Sequence, residues 1–263
     1  MSEDRLIVAE TAPGVTRVTL NRPEIHNAFD DVLIDELDRT FARIDDDASV
    51  RVVVLTANGK SFSAGADLNW MKRMATYDRG DNVADAIRLG ELMHRVATLS
   101  KPVVGLIQGA AYGGGVGLVA CCDISIASER ASFCLSEVKL GLIPAVISPY
   151  VVEAIGARQA RRYFITAERF DAQVAYIIGL VHEVVAEDAL ESAGEKTVER
   201  LLPNGPRAMA SAKDLIASVA HRPIDRGVIE DTARRIADAR AGTEGREGVS
   251  AFLEKRSPNW AGN

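Results

Sequence analysis

Two glycine-rich segments are the parts of this sequence best suited to holding a reacting oxygen atom. The first is SFSAGADL, residues 61–68, and the second is GGGVGL, residues 113–118. Each follows a predicted strand and leads into a predicted helix, where backbone N–H groups lack partners and the helix dipole favours negative charge. Together they could donate one N–H each to a carbonyl oxygen that becomes negative during a reaction. Alternatively, the glycines only permit tight turns and close packing.

Glu137 is the candidate acid and base. It lies in the run LSEVKLGLIP, residues 135–144, among apolar neighbours and just before a predicted turn. Burial among such neighbours raises the pKa of a carboxyl group toward the range in which it can both accept and release a proton. A surface ion pair between Glu137 and Lys139 is the alternative that the local sequence leaves open.

A third pattern resembles a cofactor signature. The run GVGLVA, residues 115–120, matches the dinucleotide-binding pattern G-x-G-x-x-A. The predicted strand before it ends near Ile107, which leaves too long a gap, and no second nucleotide-binding half follows. We therefore expect no dinucleotide cofactor. Cys121, Cys122 and Cys134 show neither a disulfide framework nor metal-ligand spacing, so we interpret them as buried thiols and predict no metal site.

Strands alternating with helices are expected to position these segments. Apolar periodicity, glycine and proline predict each element. The first predicted elements are a hairpin of residues 6–10 and 15–20 around Pro13 and Gly14, and a helix from Asp31 that ends at the acidic run 45–47. A strand at 52–55, covered on both faces, a polar loop at 58–65 and a helix at 82–99 follow. The remaining elements are a strand at 102–107, a short apolar helix through Ala120, and short strands at 124–127 and 133–135.

The last sixty or so residues have a different, helical character. One apolar stripe is formed by Met209, Ala212, Ile216 and Val219, and another by Ile229, Ala233, Ile236 and Ala239. We therefore predict an α/β core over residues 1–200 and a helical region over residues 201–263. Such apolar faces often pack against a partner subunit, although packing within the chain explains them equally well.

Composition excludes several classes of protein. The chain has 263 residues, a formal net charge of −6 and 47% hydrophobic residues, which is typical of a globular protein and argues against a nucleic-acid binder. The first residues, MSEDRLIV, lack the basic and apolar regions of a secretory signal. No apolar run approaches the ~18 residues of a membrane span. We therefore expect a cytoplasmic protein that does not bind membranes.

The ordered set of motifs resembles the crotonase, or enoyl-CoA hydratase/isomerase, superfamily over nearly the whole chain. The resemblance implies a spiral of ββα units, C-terminal helices that assemble a homotrimer or a hexamer, and an acyl-CoA substrate whose CoA is part of the substrate, with no separate cofactor. The residues that carry it are LNRP at 20–23, Asn27 and Ala28, FSAGADL at 62–68, Gly109, GGG at 113–115, CDI at 122–124, Glu137, Leu140 and Gly141, and EGVSAFLEKR at 247–256.

The resemblance also implies a role for each matching residue. Glu137 matches one of the two glutamates that handle water and the α-proton in hydratases. The oxyanion donors would be the N–H groups of Ala66 and Gly114; the bound CoA would be lined by Ala64, Ala66, Asp67 and Leu68, with Ile25 and His26 near its adenine; and Lys255 would approach the CoA of a neighbouring subunit.

Gly117 departs from the family pattern, because a two-glutamate hydratase has its second glutamate there. Members with a single glutamate include Δ3,Δ2-enoyl-CoA isomerases, which need no positioned water, so isomerisation is one alternative function. A crotonase-fold protein without activity is another. An RNA-binding role is a third, although the negative net charge and the few aromatic residues argue against it.

Three further runs resemble bacterial methylglutaconyl-CoA hydratases of leucine catabolism and carboxygeranoyl-CoA hydratases of acyclic terpene breakdown. They are NWMKRM at 69–74, GVGLVACCD at 115–123 and ISPYVV at 147–152. Glycine at position 117 is tolerated in such hydratases, where it would line the substrate site, and we hypothesise that Glu137 alone serves both proton transfers. A branched substrate that ends in a carboxylate needs a countercharge. Lys72 and Arg73 are candidates, unless they form a solvated helix face or contact a CoA phosphate.

Overall fold

The computed structural model of the chain describes residues 4–261, which fold as strands and helices in the following order. The strands are β1 (Leu6–Ala12), β2 (Val15–Leu20), β3 (Val52–Ala57), β4 (Ser61–Ser63), β5 (Val103–Ile107), β6 (Ala110–Tyr112), β7 (Ile124–Ser128), β8 (Ser132–Cys134), β9 (Phe170–Asp171) and β10 (Glu183–Val185). The helices are α1 (Asp31–Asp46), α2 (Leu68–Met74), α3 (Arg79–Thr98), α4 (Gly114–Cys121), α5 (Ser148–Thr166), α6 (Ala172–Ile177), α7 (Leu190–Leu201), α8 (Pro206–Val219), α9 (Arg226–Ala241) and α10 (Thr243–Glu254), with 3-10 turns at Pro23–Ile25, Glu137–Leu140 and Glu187–Ala189.

The strands form two sheets. The larger has the order β1-β2-β3-β5-β7-β10, and the smaller has the order β4-β6-β8-β9. Neighbouring strands are parallel except in the β1–β2 hairpin, which turns at Pro13 and Gly14, and in the β8–β9 pair. Strand β3 is buried along its whole length between two parallel neighbours. The predicted hairpin and the predicted covered strand are both confirmed.

A repeating ββα unit connects the two sheets. In each unit a strand of the larger sheet is followed by a strand of the smaller sheet and then by a helix, as in β3-β4-α2, β5-β6-α4 and β7-β8-α5. This is the spiral that the resemblance implied. Because β4, β6 and β8 are parallel neighbours, their carboxyl ends lie side by side at one edge of the smaller sheet. In open α/β sheets, that edge is where ligands bind.

One loop prediction was wrong, and one short strand was not predicted. The polar loop at 58–65 contains β4, and the small-residue stretch after Ile107 contains β6. Each of these strands has three residues, too few to show an alternating pattern, and each is defined by its pairing with parallel neighbours.

The presence of β6 shortens the gap between the glycine pattern at 115–120 and the strand before it, so this gap no longer argues against a dinucleotide site. The glycine pattern does follow a strand directly, but it lies inside α4. There, Val116 and Gly117 donate their N–H groups to the Gly113 carbonyl at 2.9 and 3.2 Å. Those two N–H groups are therefore already used within the helix and are not free for a pyrophosphate.

The predicted helices are confirmed. The apolar stripe of α1, which includes Leu37 and Phe41, is buried and packs against α3. The stripes of α8 and α9 stay open in the single chain, since Ile216, Ile229 and Ile236 are each at least half exposed. The boundary between a core and a helical region at residue 200 stays a prediction. None of the helices within residues 4–261 combines the length and the apolar composition that a membrane span requires.

Candidate active site

Three segments meet where three strands of the smaller sheet end. Ala66 follows β4, Gly114 follows β6 and Glu137 follows β8, each within a few residues of the last strand residue. Gly113 shows how close the three segments lie: a Cβ added to it would be 3.1 Å from Oε1 of Glu137 and 3.9 Å from Cα of Gly65. The structure therefore brings together the two glycine-rich segments and the glutamate that the sequence indicated.

The first glycine-rich segment is held in an open turn by its neighbour Phe29. Gly65 has φ +91°, and an added Cβ there would lie 3.2 Å from the Tyr112 carbonyl oxygen, so the turn needs glycine. Phe29 donates its N–H to the Gly65 carbonyl and accepts the Asp67 N–H, both at 2.7 Å. Ala66 lies between these two bonds. Within residues 4–261 its own N–H donates to no acceptor, so it is free to bind a ligand oxygen.

The side chain of Asp67 starts helix α2. Its Oδ1 accepts the N–H groups of Asn69 at 2.7 Å and Trp70 at 3.1 Å, and its Oδ2 lies 3.6 Å from the Arg22 guanidinium. Arg22 also pairs at 2.9 Å with Asp30, the residue that caps α1. Asp67 was predicted to line bound CoA. Its carboxylate is instead buried and committed to α2 and Arg22, so any contact of this residue with CoA would come from its main chain.

The second glycine-rich segment presents the first N–H of α4. Gly113 has φ +50° and donates its N–H to the Cys134 carbonyl at 2.9 Å, which joins the end of β6 to the end of β8. Gly114 begins α4, and its N–H has no acceptor in the part of the chain that the structure describes. The helix dipole adds partial positive charge at this end. The N–H groups of Ala66 and Gly114 are thus unused donors in neighbouring segments.

Glu137 is half-buried at the start of a 3-10 turn. Its Oε2 is buried and has no hydrogen-bond partner among residues 4–261. Burial raises the pKa of the Glu137 carboxyl above its ordinary value, because the charged form loses solvation. The alternative of a surface pair does not hold: Lys139 is exposed, and no ion pair joins it to Glu137 within the described chain. A buried carboxylate without a partner is costly, and such groups occur mainly at functional sites.

Gly117 has no room for a side chain. An added Cβ would lie 2.3 Å from Cγ2 of Ile147 and 3.4 Å from Cε of Met93. Both neighbours are buried, with Ile147 3% exposed. The space that a second glutamate would need is therefore filled by an isoleucine that precedes α5. The sequence reasoning missed Ile147, because no local pattern connects it with Gly117.

Some of the residues expected around CoA lie on segments that contact each other. Ala64, Leu68 and His26 are exposed, and Ile25 is half-buried. The His26 carbonyl accepts the Ala64 N–H at 2.9 Å, and its Nδ1 lies 3.0 Å from the Ser61 hydroxyl. The segments predicted to bind the adenine and the rest of CoA therefore lie against each other.

Buried Asn27 holds these segments together, a role that the sequence reasoning did not assign. It has φ +53°, in the left-handed region that asparagine tolerates. Its side chain accepts the Arg22 N–H at 2.7 Å and donates to the Asn58 and Ser61 carbonyls at 2.9 and 2.8 Å. An asparagine between a proline turn and a predicted helix was the available signal.

The three cations that the sequence indicated have different surroundings. Lys72 and Arg73 lie on α2, and both are exposed. Arg73 pairs with Asp31 at the start of α1, whereas Lys72 has no ion pair among residues 4–261. Lys255 ends α10, which packs on α8 and α9, and no hydrogen bond or ion pair within the described chain joins it to the other site residues.

Known proteins with the same fold share the whole length of the chain. The sequence profile of the enoyl-CoA hydratase/isomerase family matches residues 10–263. An enoyl-CoA hydratase from Shewanella pealeana superposes with a TM-score of 0.95 at 48% identity, covering 98% of this chain and 96% of that one. AtuE from Pseudomonas aeruginosa superposes with a TM-score of 0.93 at 39% identity, covering 98% and 100%. The 2,3-dehydroadipyl-CoA hydratase of Escherichia coli is 32% identical over 258 residues, 97% of this chain and 98% of its own.

Proposed function

The chain belongs to the enoyl-CoA hydratase/isomerase family, and from this premise we propose that it hydrates a branched enoyl-CoA that ends in a carboxylate. The proposed substrate is 3-methylglutaconyl-CoA or a related acyl group. One observation carries the proposal: the carboxylate of Glu137, whose Oε2 is buried without a hydrogen-bond partner among residues 4–261, lies beside the two segments that hold the unused N–H groups of Ala66 and Gly114. That arrangement provides one group for protons and two for negative charge on oxygen.

The two N–H groups stabilise the intermediate. When water adds to Cβ of an α,β-unsaturated thioester, negative charge moves through the double bond onto the carbonyl oxygen. Hydrogen bonds from Ala66 and Gly114 to that oxygen strengthen as the charge grows. Because both donors belong to the backbone of fixed turns, they need little reorganisation during the reaction.

A single carboxylate can complete the proton cycle. As a carboxylate, Glu137 accepts one proton from the water whose oxygen bonds to Cβ. As a carboxylic acid, it then delivers a proton to Cα, and the enolate returns to a thioester. Glu137 ends the cycle ionised, as it began, and one water has been added. The raised pKa of Glu137 suits this exchange, because a pKa nearer the working pH lets the same carboxyl group both accept a proton from water and release one to Cα.

The apolar surroundings of Gly117 support the single-carboxylate scheme. Ile147 and Met93 fill the place of a second glutamate and offer no acceptor for a proton. Water must then be oriented by Glu137, and water and the Cα proton must lie on the same face of the planar enoyl group. Relatives such as the 2,3-dehydroadipyl-CoA hydratase of Escherichia coli and the short-chain-enoyl-CoA hydratase of Clostridium acetobutylicum are named hydratases, so isomerisation is not the function we favour.

A distal carboxylate on the substrate needs a cation. Arg73 is already paired with Asp31, so we assign this part to Lys72, which is exposed on the helix that begins beside Ala66. The name of the E. coli relative, a dehydroadipyl-CoA hydratase, shows that a member of the family takes an acyl group derived from a dicarboxylic acid. Lys72→Met should raise the KM for 3-methylglutaconyl-CoA and leave that for crotonyl-CoA unchanged. An equal rise for both would assign Lys72 to a CoA phosphate.

Exposed apolar side chains of the C-terminal helical region support a homotrimer or a hexamer. Phe252 and Leu253 are 81% and 73% exposed in the single chain, and Ile224 is 88% exposed. Contact between subunits would bury them and would carry Lys255 toward a neighbouring site. Light scattering on the purified protein tests this oligomeric state. We expect the mass of three or six chains, and the mass of a monomer would contradict the proposal.

The direct test of the function is product analysis. Purified protein is incubated separately with 3-methylglutaconyl-CoA and with crotonyl-CoA, and loss of the conjugated thioester absorbance is followed with product mass. A gain of one water, with a higher kcat/KM on the branched substrate, is expected. Hydration of crotonyl-CoA alone would support hydratase activity but contradict the proposed branched substrate. Hydration of neither compound would contradict both the activity and the substrate.

A further inference from the structure

We propose that Phe29 is a positioning residue that sets the separation between the two N–H donors, those of Ala66 and Gly114. The inference rests on the proposed function, since it takes these N–H groups as the ones that bind the thioester oxygen. Phe29 touches both donor segments, one through its main chain and the other through its ring.

The main chain of Phe29 holds the first donor. Its N–H donates to the Gly65 carbonyl and its carbonyl accepts the Asp67 N–H, both at 2.7 Å. Phe29 and Ala66 thus form an isolated parallel bridge outside the named strands. Because the peptide groups on both sides of Ala66 are bonded, the direction of the Ala66 N–H is fixed relative to Phe29.

The ring of Phe29 holds the second donor. A Cβ added to Gly114 would lie 3.2 Å from Cδ2 and 3.3 Å from Cε2 of the Phe29 ring, so the ring packs against the first residue of α4. The side chain is 2% exposed and belongs to the main hydrophobic core. A rigid ring in this place limits how closely Gly114 can approach Ala66.

The sheet itself does not hold this separation. Strands β4 and β6 pair at Ser61 with Ala110 and at Ser63 with Ala111, with an irregular register between these pairs, and both donors lie beyond the last pair. Phe29 therefore supplies a link past the end of the ladder. The loop that carries it is itself anchored, since the next residue, Asp30, caps α1 by accepting the Leu33 N–H at 2.8 Å.

Side-chain variants separate positioning from general core packing. Phe29→Ala removes the ring but keeps the main-chain bonds, and Phe29→Leu keeps part of the volume. Phe41→Leu is the matched control, because Phe41 is equally buried on α1 and takes no part in the site. Since misplacement by ~1 Å can cost ~10²-fold in rate, we expect kcat to fall ~10²-fold in Phe29→Ala and ~10-fold in Phe29→Leu. We expect KM within about threefold in both, and a kcat within about threefold of wild type for Phe41→Leu.

Vibrational spectroscopy measures the donors directly. Butyryl-CoA labelled with 13C at the thioester carbonyl binds without reacting, and hydrogen bonds to its oxygen lower the C=O stretching frequency. Isotope-edited infrared spectra should show a lowered frequency in wild type and in Phe41→Leu. In the Phe29 variants the frequency should return toward its value in solution, more fully in Phe29→Ala than in Phe29→Leu.

The outcomes distinguish this inference from the function on which it rests. A lowered frequency in wild type that persists in both Phe29 variants, with kcat unchanged, would overturn the role of Phe29 and leave the oxyanion donors in place. A wild-type protein that leaves the frequency at its solution value would overturn the donor assignment itself. If Phe29→Ala does not fold, the same two readouts on Phe29→Leu against Phe41→Leu decide the question.

Discussion

Gly113 and Gly117, at the start of α4 and one turn into it, have opposite surroundings. Gly113 precedes the helix and Gly117 lies one turn later, where residues four apart share a face. Beside Gly113 lies a carboxylate with a buried, partnerless oxygen; beside Gly117 lies the side chain of Ile147. In the proposed mechanism proton transfer is thus confined to the turn at Gly113, whereas the turn at Gly117 belongs to the hydrophobic core.

The two glycines are needed for different reasons. Gly113 has φ +50° and ψ −118°, a backbone conformation that side chains disfavour, and it leaves space for Glu137. Gly117 is an ordinary helical residue, and only the contact with Ile147 excludes a side chain there. The absence of a side chain at position 117 is therefore coupled to the presence of isoleucine at position 147.

Restoring a glutamate at the apolar turn tests that coupling and has the largest expected effect. Gly117→Glu would press against Ile147 and bury a charge without a partner, so we expect the free energy of unfolding to fall by at least ~3 kcal/mol. Urea denaturation measures this change.

Ile147→Ala is the matched background for that experiment. Alone it should cost ~2–5 kcal/mol by opening a cavity. Combined with Gly117→Glu, the total loss should be smaller than the sum of the two by at least ~1 kcal/mol, because the alanine makes room. Strict additivity, or a single Gly117→Glu variant as stable as wild type, would contradict the observed contact.

Adding one methyl group to each turn sharpens the comparison. Gly113→Ala and Gly117→Ala should each lower the free energy of unfolding by ~1–3 kcal/mol, the first through backbone strain and the second through overpacking. Only Gly113→Ala places its methyl group against Glu137, so it should also lower the hydration rate by ~10-fold or more. Hydration by Gly117→Ala should stay within about threefold of wild type. Equal loss of activity in both would show that the two turns do not differ in function.

The pH dependence of stability gives the smallest expected effect. Burial raises the pKa of Glu137 in the folded protein, so stability is lost as the pH rises through that pKa and the carboxylate ionises without a partner. Glu137→Gln removes this loss. In thermal melts, the gain in Tm of the variant over wild type should therefore be larger at about pH 8 than at about pH 4. A gain that is constant or shrinks with rising pH would mean that the carboxylate is stabilised by an unseen partner.

The sequence predicted the site best where chemistry needs particular residue types. Glycines that open turns and a glutamate among apolar residues are local signals, and the structure places them as neighbours. The long periodic helices were equally readable, as α1 and α3 show. The apolar stripes of α8 and α9 were also readable, although Ile216, Ile229 and Ile236 stay at least half exposed in the single chain.

Features that depend on contacts between distant segments were not predictable. Strands β4 and β6 are too short to carry a pattern, and they form only because parallel neighbours supply their hydrogen bonds. Ile147 and Phe29 act through packing on Gly117 and Gly114, which adjacent sequence does not reveal. The commitment of Asp67 to Arg22 needs the same information about distant contacts.

The hydration rate of Glu137→Gln tests the central claim, that one carboxylate performs both proton transfers. Glutamine keeps the size of the side chain and removes its basicity, so a loss of at least ~10²-fold is predicted. Lys139→Ala, two residues away in the same 3-10 turn, is the control and should keep nearly full activity. The assay follows loss of the conjugated thioester absorbance and the mass of the product. A Glu137→Gln variant that folds normally and keeps more than about a tenth of the wild-type rate would contradict the claim.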